Sequence, residues 1–348
     1  MVTIKDVARE AGVSVSTVSF AINGTAPVAP DTKKRILEVV ERLGFQPSSA
    51  ARGLVTRRSN TIGLYVPNPG EDIFNFAGNI VFSNMLQGIG EIAEDKGSNL
   101  LLSWDHKDRE KASKALDLAR GRTVDGLLFM NPNLDASVIR ELIELKFPFV
   151  IMGHHFKEYP VNTVDIDNFS AAYDNTTHLI RLGHKRIAFI SPGPLDFYVS
   201  EDRYEGYLEA LKDANLPAIP EYFYVGNHRV SSGSDAMRHF LACKEPPTAV
   251  VAGRDNQALG VLEYAKVHGL NIPEDMALVS FENSDLAEKY NISSVVTDLY
   301  LIGREAAKVL FQLIGRGKER LPKNLVIPSK LVIRSSCGGH NAVEQLHF

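Results

Sequence analysis

Near the start of the chain, Val15, Ser16, Thr17, Ser19, Phe20 and Asn23 combine short hydrogen-bonding side chains with two apolar ones. Hydroxyls and amides donate to phosphate oxygens and base edges, and an apolar side chain can cover a thymine methyl group. On one short helix these residues fit a DNA major groove, with Val15, Ser16 and Phe20 toward base edges and Thr17, Ser19 and Asn23 toward phosphates or bases. The alternative, a helical bundle made only for protein contacts, accounts poorly for exposed Val15 and Phe20 beside hydroxyls. Other chemistry is weakly represented. His154 and His155 are adjacent in a loop and lack a third ligand at useful spacing, so no metal is expected. No phosphate-binding glycine loop, GxSxG turn or His/Asp/Glu metal cluster occurs, so an enzyme is not expected, nor is a cofactor.

The elements that must hold the first group are legible. Thr3 can cap a helix with Asp6 reaching back to it, and Ile4, Val7, Ala8 and Ala11 follow at helical spacing until Gly12. Ser14 restarts a helix carrying Val15, Val18, Ala21 and Ile22, which Asn23-Gly24 ends. A third helix opens with Pro30 and presents Ile36, Leu37, Val40 and Leu43 until Gly44. The spacing predicts an all-α, helix-turn-helix head.

The remainder is of another kind. Residues 1–60 hold nine Lys/Arg against five Asp/Glu, whereas the whole chain carries a net charge of −4, so the body is acidic. A basic head on an acidic body suits a polyanion-binding module, although a solvated positive face would suit so small an excess as well. Continuous apolar runs at Ile62–Val66, Asn99–Ser103, Gly126–Met130, Phe149–Met152, Ile187–Ser191, Tyr222–Val225, Ala249–Ala252 and Leu278–Phe281 alternate with helical stretches closed by Gly97, Gly183 and Gly269. That alternation predicts two lobes, each a doubly wound parallel sheet whose ligand lies beyond the carboxyl ends of its strands. Cys243 and Cys337 are far apart, no long apolar run occurs and Met1-Val2-Thr3-Ile4-Lys5-Asp6 turns charged at once. Reduced thiols, a cytoplasmic location and no membrane segment are expected.

The head closely resembles that of the lactose/galactose-repressor (LacI/GalR) family. The residues that carry this are Thr3-Ile4-Lys5-Asp6-Val7-Ala8, Ala11-Gly12-Val13-Ser14, Thr17-Val18-Ser19, Ile22-Asn23, Leu43-Gly44-Phe45-Gln46-Pro47 and Ala50-Ala51-Arg52-Gly53-Leu54. The body is similar as well, through Val124-Asp125-Gly126-Leu127-Leu128, the run from His178 to Ala188, Pro247-Thr248-Ala249-Val250 and the run from Leu331 to Cys337. The resemblance implies a ligand-responsive transcription regulator, a repressor more readily than an activator, that grips a pseudo-palindromic operator as a homodimer. It adds Thr3, Thr32 and Phe45 to the DNA-contacting set, and a hinge helix with Ser48, Ala51 and Leu54. Leu54 stands where the family places a leucine that wedges open a minor-groove base step. Eight residues, 48–55, are too few for a stable isolated helix, so ordering on DNA is expected. Phe20 replaces a residue that is often polar, which puts the outer operator bases outside inheritance.

For the body the resemblance implies a periplasmic-binding-protein-like sensor with crossings near 163–165, 293–295 and 322–326. The implied domains are 1–46 (head), 47–60 (hinge and linker), 61–339 (sensor and dimerisation) and 340–348 (tail). Within the sensor the N-lobe takes about 61–163 and 295–322, and the C-lobe about 164–293 and 323–339. The tail lacks a leucine heptad, so tetramers are not expected. At the positions of the family's pocket the chain carries His154, Phe197, Arg203, His228, Arg254, Asp255 and Glu282, with His228, Arg254 and Glu282 in place of the commoner aromatic, Asn and Asp. Phe74 and Phe76 are placed on the N-lobe wall in a segment, 67–87, longer than the family's. Arg203 would fork onto effector hydroxyls or carboxylates, although a surface pairing with nearby acids is its plain alternative; Phe197 could equally be packing. The extra Arg and His lean toward an anionic or larger carbohydrate, whereas Glu282 leans toward sugar hydroxyls. Two rivals stand beside this reading. One is the same fold controlled by a phosphoprotein partner. The other is a transported-solute binding protein, which would need a signal peptide and no head.

Overall fold

The computed structural model describes residues 2–24, 26–45, 58–66, 80–104, 113–130, 136–153, 159, 161–315, 324–339 and 343–345. The expected hinge residues Ser48, Ala51 and Leu54, the pocket candidates Phe74, Phe76 and His154, and most of the tail lie outside them.

Three helices form the head: α1 (Ile4–Ala11), α2 (Val15–Asn23) and α3 (Pro30–Leu43). The Asp6 carboxylate accepts hydrogen bonds from the Thr3 amide at 3.0 Å and the Thr3 hydroxyl at 2.7 Å, fixing the start of α1. Gly12, at φ 64°, ends α1 in a left-handed conformation that a side chain would strain, and Ser14 Oγ then caps α2 by accepting from Thr17 N at 3.1 Å. The core beneath is small: Val7, Ala8, Ala11, Val18, Ala21, Ile36 and Val39. Leu37, expected on the inner face of α3, is 45% exposed, and Val39 is buried instead. Ile36 and Val39, three apart, set the phase of the helix, which turns position 37 outward.

In the N-lobe, β1 (Thr61–Val66), β2 (Asn99–Trp104), β3 (Gly126–Met130), β4 (Phe149–Met152), β5 (Asn162–Asp165) and β11 (Asn324–Val326) form a parallel sheet in the order β11-β5-β4-β3-β1-β2. Its helices are α4 (Ile80–Asp95), α5 (Ser113–Arg120), α6 (Ala136–Glu144) and α12 (Leu299–Ile314). The C-lobe sheet runs β13-β12-β10-β9-β8-β6-β7. Its strands are β6 (Ile187–Ser191), β7 (Phe223–Val225), β8 (Ala249–Ala252), β9 (Ala277–Glu282), β10 (Ser293–Val296), β12 (Lys330–Val332) and β13 (Val343–Gln345). Only β12 runs against the others, antiparallel to β10 on one side and to β13 on the other. Its helices are α7 (Asn168–Arg181), α8 (Tyr198–Asp213), α9 (Val230–Leu241), α10 (Asp255–Val267) and α11 (Asp285–Lys289). One apolar cluster runs through both lobes by way of Val164, Ile166, Val295 and Ile327, so the lobes share a core along their crossings.

Those crossings fall at the end of the expected ranges or one residue beyond. β5 and β11 pair within the N-lobe sheet and β10 within the C-lobe sheet. The chain therefore passes between lobes after Asp165, after Val296 and after Val326. The lobe limits move accordingly, and 324–326 belong to the N-lobe rather than the C-lobe. The cause is polar strands: Thr163 Oγ1 donates to Asn324 Oδ1 at 3.0 Å, and Ser293 Oγ to the Arg334 carbonyl at 3.0 Å. Satisfied inside a sheet, such residues form strands although their composition reads as connection. Tyr222 also departs from expectation, ending a 3-10 turn (Pro220–Tyr222) ahead of β7.

Candidate functional site

The head exposes its chemistry. Val15 and Phe20 are 41% and 39% exposed, Ser16 is exposed, and Thr17, Ser19 and Asn23 are half-buried beside them. Val18 and Ala21, on the opposite face of α2, fill the core, so the outward direction of residues 15, 16 and 20 follows from helical phase. Thr17 Oγ1 lies 2.8 Å from Ser14 Oγ, and Asn23 Nδ2 donates to Ser19 Oγ at 3.2 Å. Thr3 is exposed, Thr32 half-buried in the first turn of α3, and Phe45 packs against the head core. The head therefore has one face on which a hydroxyl-lined helix carries two solvent-facing apolar side chains.

The second assembly sits at the carboxyl ends of the C-lobe strands. Strand order reverses between β6 and β8, and the loops after β6, β7, β8 and β9 bring Phe197, His228, Arg254, Asp255 and Glu282 to that edge. Gly253 lets two of these loops touch. A Cβ there would lie 2.6 Å from Pro192 Cδ and 2.8 Å from the Ile190 carbonyl oxygen, so no side chain fits.

Arg203 is the hub. It is 5% exposed, and its guanidinium lies over the Phe281 ring with Cζ 4.1 Å from the centroid. Nε donates to Asn168 Oδ1 at 2.9 Å and a terminal nitrogen to the Gly253 carbonyl at 2.8 Å. The expected alternative, surface pairing with acids, is excluded by this burial. Desolvation and the nearby Arg254 bring its pKa down to about 10, so it stays charged at neutral pH. Asn168 in turn donates from Nδ2 to Asp165 Oδ2 at 2.8 Å. Burial pushes Asp165 up to about 7, although the Ile166 amide, Arg203 and Asn168 favour its charged form. Asp165, Asn168 and Arg203 thus make a polar chain from the first crossing into the C-lobe.

Arg254 and Glu282 form an ion pair at 2.8 Å whose side chains are 26% and 10% exposed. Burial raises the Glu282 carboxyl, and Arg254 offsets this. The backbone around Glu282 is strained: φ is 101° there and 49° at Asn283. A non-glycine residue held so costs about 1–3 kcal/mol, and such strain clusters where a side chain must be aimed. The Asn283 amide, donating to Ser294 Oγ at 2.9 Å, helps hold the turn.

Asp255 differs from the expected pocket acid. Its Oδ1 accepts from Ser280 Oγ at 2.5 Å and Ser294 Oγ at 2.8 Å, and its Oδ2 accepts from Ser284 N and Oγ, both at 2.7 Å. Four donors fill a carboxylate's acceptor positions, and the side chain is fully buried. It clamps β9, β10 and the loop before α11 and has no lone pair left for a ligand. Burial raises its pKa, with those serines pulling the other way. Phe197 is half-buried at the start of α8, and His228 is exposed at the rim, where its carbonyl accepts from Asn256 Nδ2 at 3.0 Å.

The geometry thus brings together Arg203, Arg254 and Glu282 and sets His228 further out. Asp165, Asn168 and Phe281 were not anticipated. Polar Asp165 and Asn168 flank an expected crossing, which was the available signal; Phe281 reads only as strand core. Among the described residues no group of three or more His, Cys, Asp or Glu could hold a metal, and no helix is long and apolar enough to cross a membrane.

Residues 3–48 match the model of bacterial regulatory proteins of the lacI family, and residues 176–337 that of a periplasmic binding protein-like domain. Catabolite control protein A of Priestia megaterium is 35% identical over 96% of this chain and 99% of its own. The HTH-type transcriptional repressor CytR of Escherichia coli K12 is 32% identical over 93% and 95%. Among solved structures, a transcriptional regulator CelR–cellobiose complex has TM-score 0.70 at 30% identity, covering 97% of this chain and all of that one. The lac repressor dimer bound to operator has TM-score 0.81 at 23% identity and 96% coverage of this chain, a likeness of fold.

Proposed function

Because the chain belongs to the LacI family of bacterial regulatory proteins, we propose that it is a sequence-specific DNA-binding repressor whose operator affinity is set by a small molecule held between the lobes. The observation that carries this reading is the outward face of α2, where Val15, Ser16 and Phe20 stand on a helix capped by Ser14 and braced by a buried opposite face. Such a face has no packing use in the head and matches what a major groove accepts. Thr3, Thr17, Ser19, Asn23, Thr32 and Phe45 support the docking, chiefly through phosphates and head geometry.

Two chains bind as a homodimer across a pseudo-palindrome, with Ser48, Ala51 and Leu54 of each hinge in the minor groove and Leu54 as the wedge. The effector contacts Arg203, Arg254 and Glu282, with Phe197, His228, Phe74, Phe76 and His154 as further walls. Its class is a neutral carbohydrate. Extra arginine and histidine lean toward an anion, but Arg254 is neutralised by Glu282 at 2.8 Å and His228 stands out at the rim. An arginine and a carboxylate side by side offer a donor and an acceptor to vicinal hydroxyls. The likeness to the CelR–cellobiose complex supports the same class.

The experiment selects duplexes from a random library with the full chain and measures affinity across salt. A selected duplex should bind with a steep salt dependence, and Leu54→Ala should weaken it severely while leaving sugar binding unchanged. A thermal-shift series with cellobiose, glucuronate and glucose 6-phosphate tests the effector class. The neutral sugar should stabilise the chain, by about 2.7 kcal/mol at a hundredfold excess over Kd. Stabilisation by the charged sugars alone would overturn the neutral assignment.

A further inference from the structure

Residues 58–60, the described end of the tether that leads to the head, are bound to the N-lobe. Asp125, just before β3, accepts from the Ser59 amide at 2.7 Å and the Ser59 hydroxyl at 3.1 Å through Oδ1, and from the Asn60 amide at 2.8 Å through Oδ2. Asn60, at φ 49°, passes its carbonyl to the Asn99 amide at 2.9 Å, and the Asp125 amide donates to the Thr61 carbonyl at 2.7 Å. The last residues before β1 are therefore held from both flanking strands, with one side chain gripping two consecutive amides.

The same joint receives α12. Arg58 donates to the carbonyl of Ile314, the last residue of that helix, at 3.2 Å. A Cβ on Gly126 would lie 2.7 Å from Leu310 Cδ1 and 3.1 Å from Ile314 Cδ1, so the helix end sits directly on the residue after Asp125. The other end of α12 is capped by Asp298, whose Oδ1 accepts from Leu301 N at 2.8 Å, immediately after the second crossing. Along its length α12 is seated closely on α4: a Cβ on Gly303 would lie 2.4 Å from the Met85 carbonyl oxygen, and one on Gly88 would lie 2.2 Å from that of Tyr300. Sixteen helical residues span about 24 Å, so one rigid element reaches from the inter-lobe crossing to the tether.

We propose that Asp125 is a positioning residue that fixes the direction in which the tether leaves the N-lobe, and that α12 is the rod by which a change at the second crossing reaches it. Asp125 touches neither DNA nor effector; it acts through Ser59 and Asn60. This rests on the reading that the head binds DNA under lobe control. A purely structural strand cap would cost stability when altered and leave the folded protein's duplex affinity unchanged.

The test uses the full chain with Asp125→Asn, which keeps the size and one acceptor oxygen, and with Gly126→Ala, which presses on Leu310 and leaves the carboxylate in place. Three quantities are read: melting temperature, amide exchange at Ser59 and Asn60, and affinity for the duplex selected with the wild-type chain. Asp125→Asn should melt near wild type, exchange faster at both amides and bind the duplex about tenfold more weakly, the size of an ordinary coupling. Gly126→Ala should keep slow exchange at the two amides and still weaken the duplex. Wild-type duplex affinity in both folded variants would overturn the proposal. Should the wild-type chain select no duplex, the DNA reading fails separately. The joint is then judged on exchange alone, with unchanged protection in Asp125→Asn refuting it.

Discussion

The head and the C-lobe edge present their polar chemistry in opposite ways, and under the proposed function each way suits its ligand. The head leaves Val15, Ser16 and Phe20 exposed on α2 and supports them with a core made of three valines, three alanines and one isoleucine. The C-lobe edge buries its charges: Arg203 is pressed onto Phe281 and bonded to neutral oxygens, and Glu282 is held in a strained turn against Arg254. A long polyanion supplies its own field and many contacts, so exposed and adaptable groups suffice. A small solute offers few atoms, and discrimination then depends on preorganised polar groups whose partners are costly to leave unmatched. The contrast predicts that a substitution in the head changes binding with little loss of fold, whereas one at the edge changes both.

Arg203→Ala should have the largest effect. It leaves Asn168 Oδ1 and the Gly253 carbonyl without their donor and opens space beneath Phe281, costing about 2–3 kcal/mol of stability. The sugar-induced rise in melting temperature should vanish while the selected duplex still binds. A variant that keeps a full sugar response would break the comparison on the edge side.

Phe20→Ala should lower affinity for the selected duplex about tenfold while changing stability by no more than about 0.5 kcal/mol, measured by urea unfolding. A large stability loss with unchanged duplex affinity would mean that the exposed ring is structural.

Asp165→Asn sharpens the comparison through pH. The folded carboxyl titrates near 7 against 3.8 ordinarily, so the folded chain holds this proton where the unfolded chain has released it. Its contribution is fully present below the unfolded value and is lost as pH rises through the folded one. The neutral variant should show a flatter fall of melting temperature between pH 4 and 7, and an unchanged profile would remove Asp165 from the account.

Ser14→Ala should have the smallest effect, about 1 kcal/mol from a lost helix cap, with duplex affinity reduced only as far as α2 frays. Chemical denaturation and duplex binding, read together, check it.

The same contrast explains what the sequence made legible. The head was readable because its signals are local: Asp6 back to Thr3, Ser14 at the start of α2, glycine at each helix end. Strands β3, β4, β6 and β8 agree with their apolar runs because both faces of each are buried. β5, β10 and β11 were missed because their polar residues are satisfied by partners far along the chain, as Thr163 is by Asn324 and Ser294 by Asp255 at 2.8 Å. The edge was half legible for the same reason. Arg203 and Glu282 stood out by type, but the commitment of Asp255 to three serines, and the chain from Asp165 through Asn168 to Arg203, exist only once three loops converge.

The most direct measurement is the affinity of the full chain for its selected duplex, titrated with salt and repeated with saturating cellobiose or whichever neutral sugar raises the melting temperature. Affinity should fall linearly on logarithmic axes, with a slope of about −0.9 per phosphate contact, and should shift by a constant factor when the sugar is present. A chain that prefers no duplex at any salt, or whose preference the sugar leaves untouched, would contradict a groove-reading head governed by the lobes.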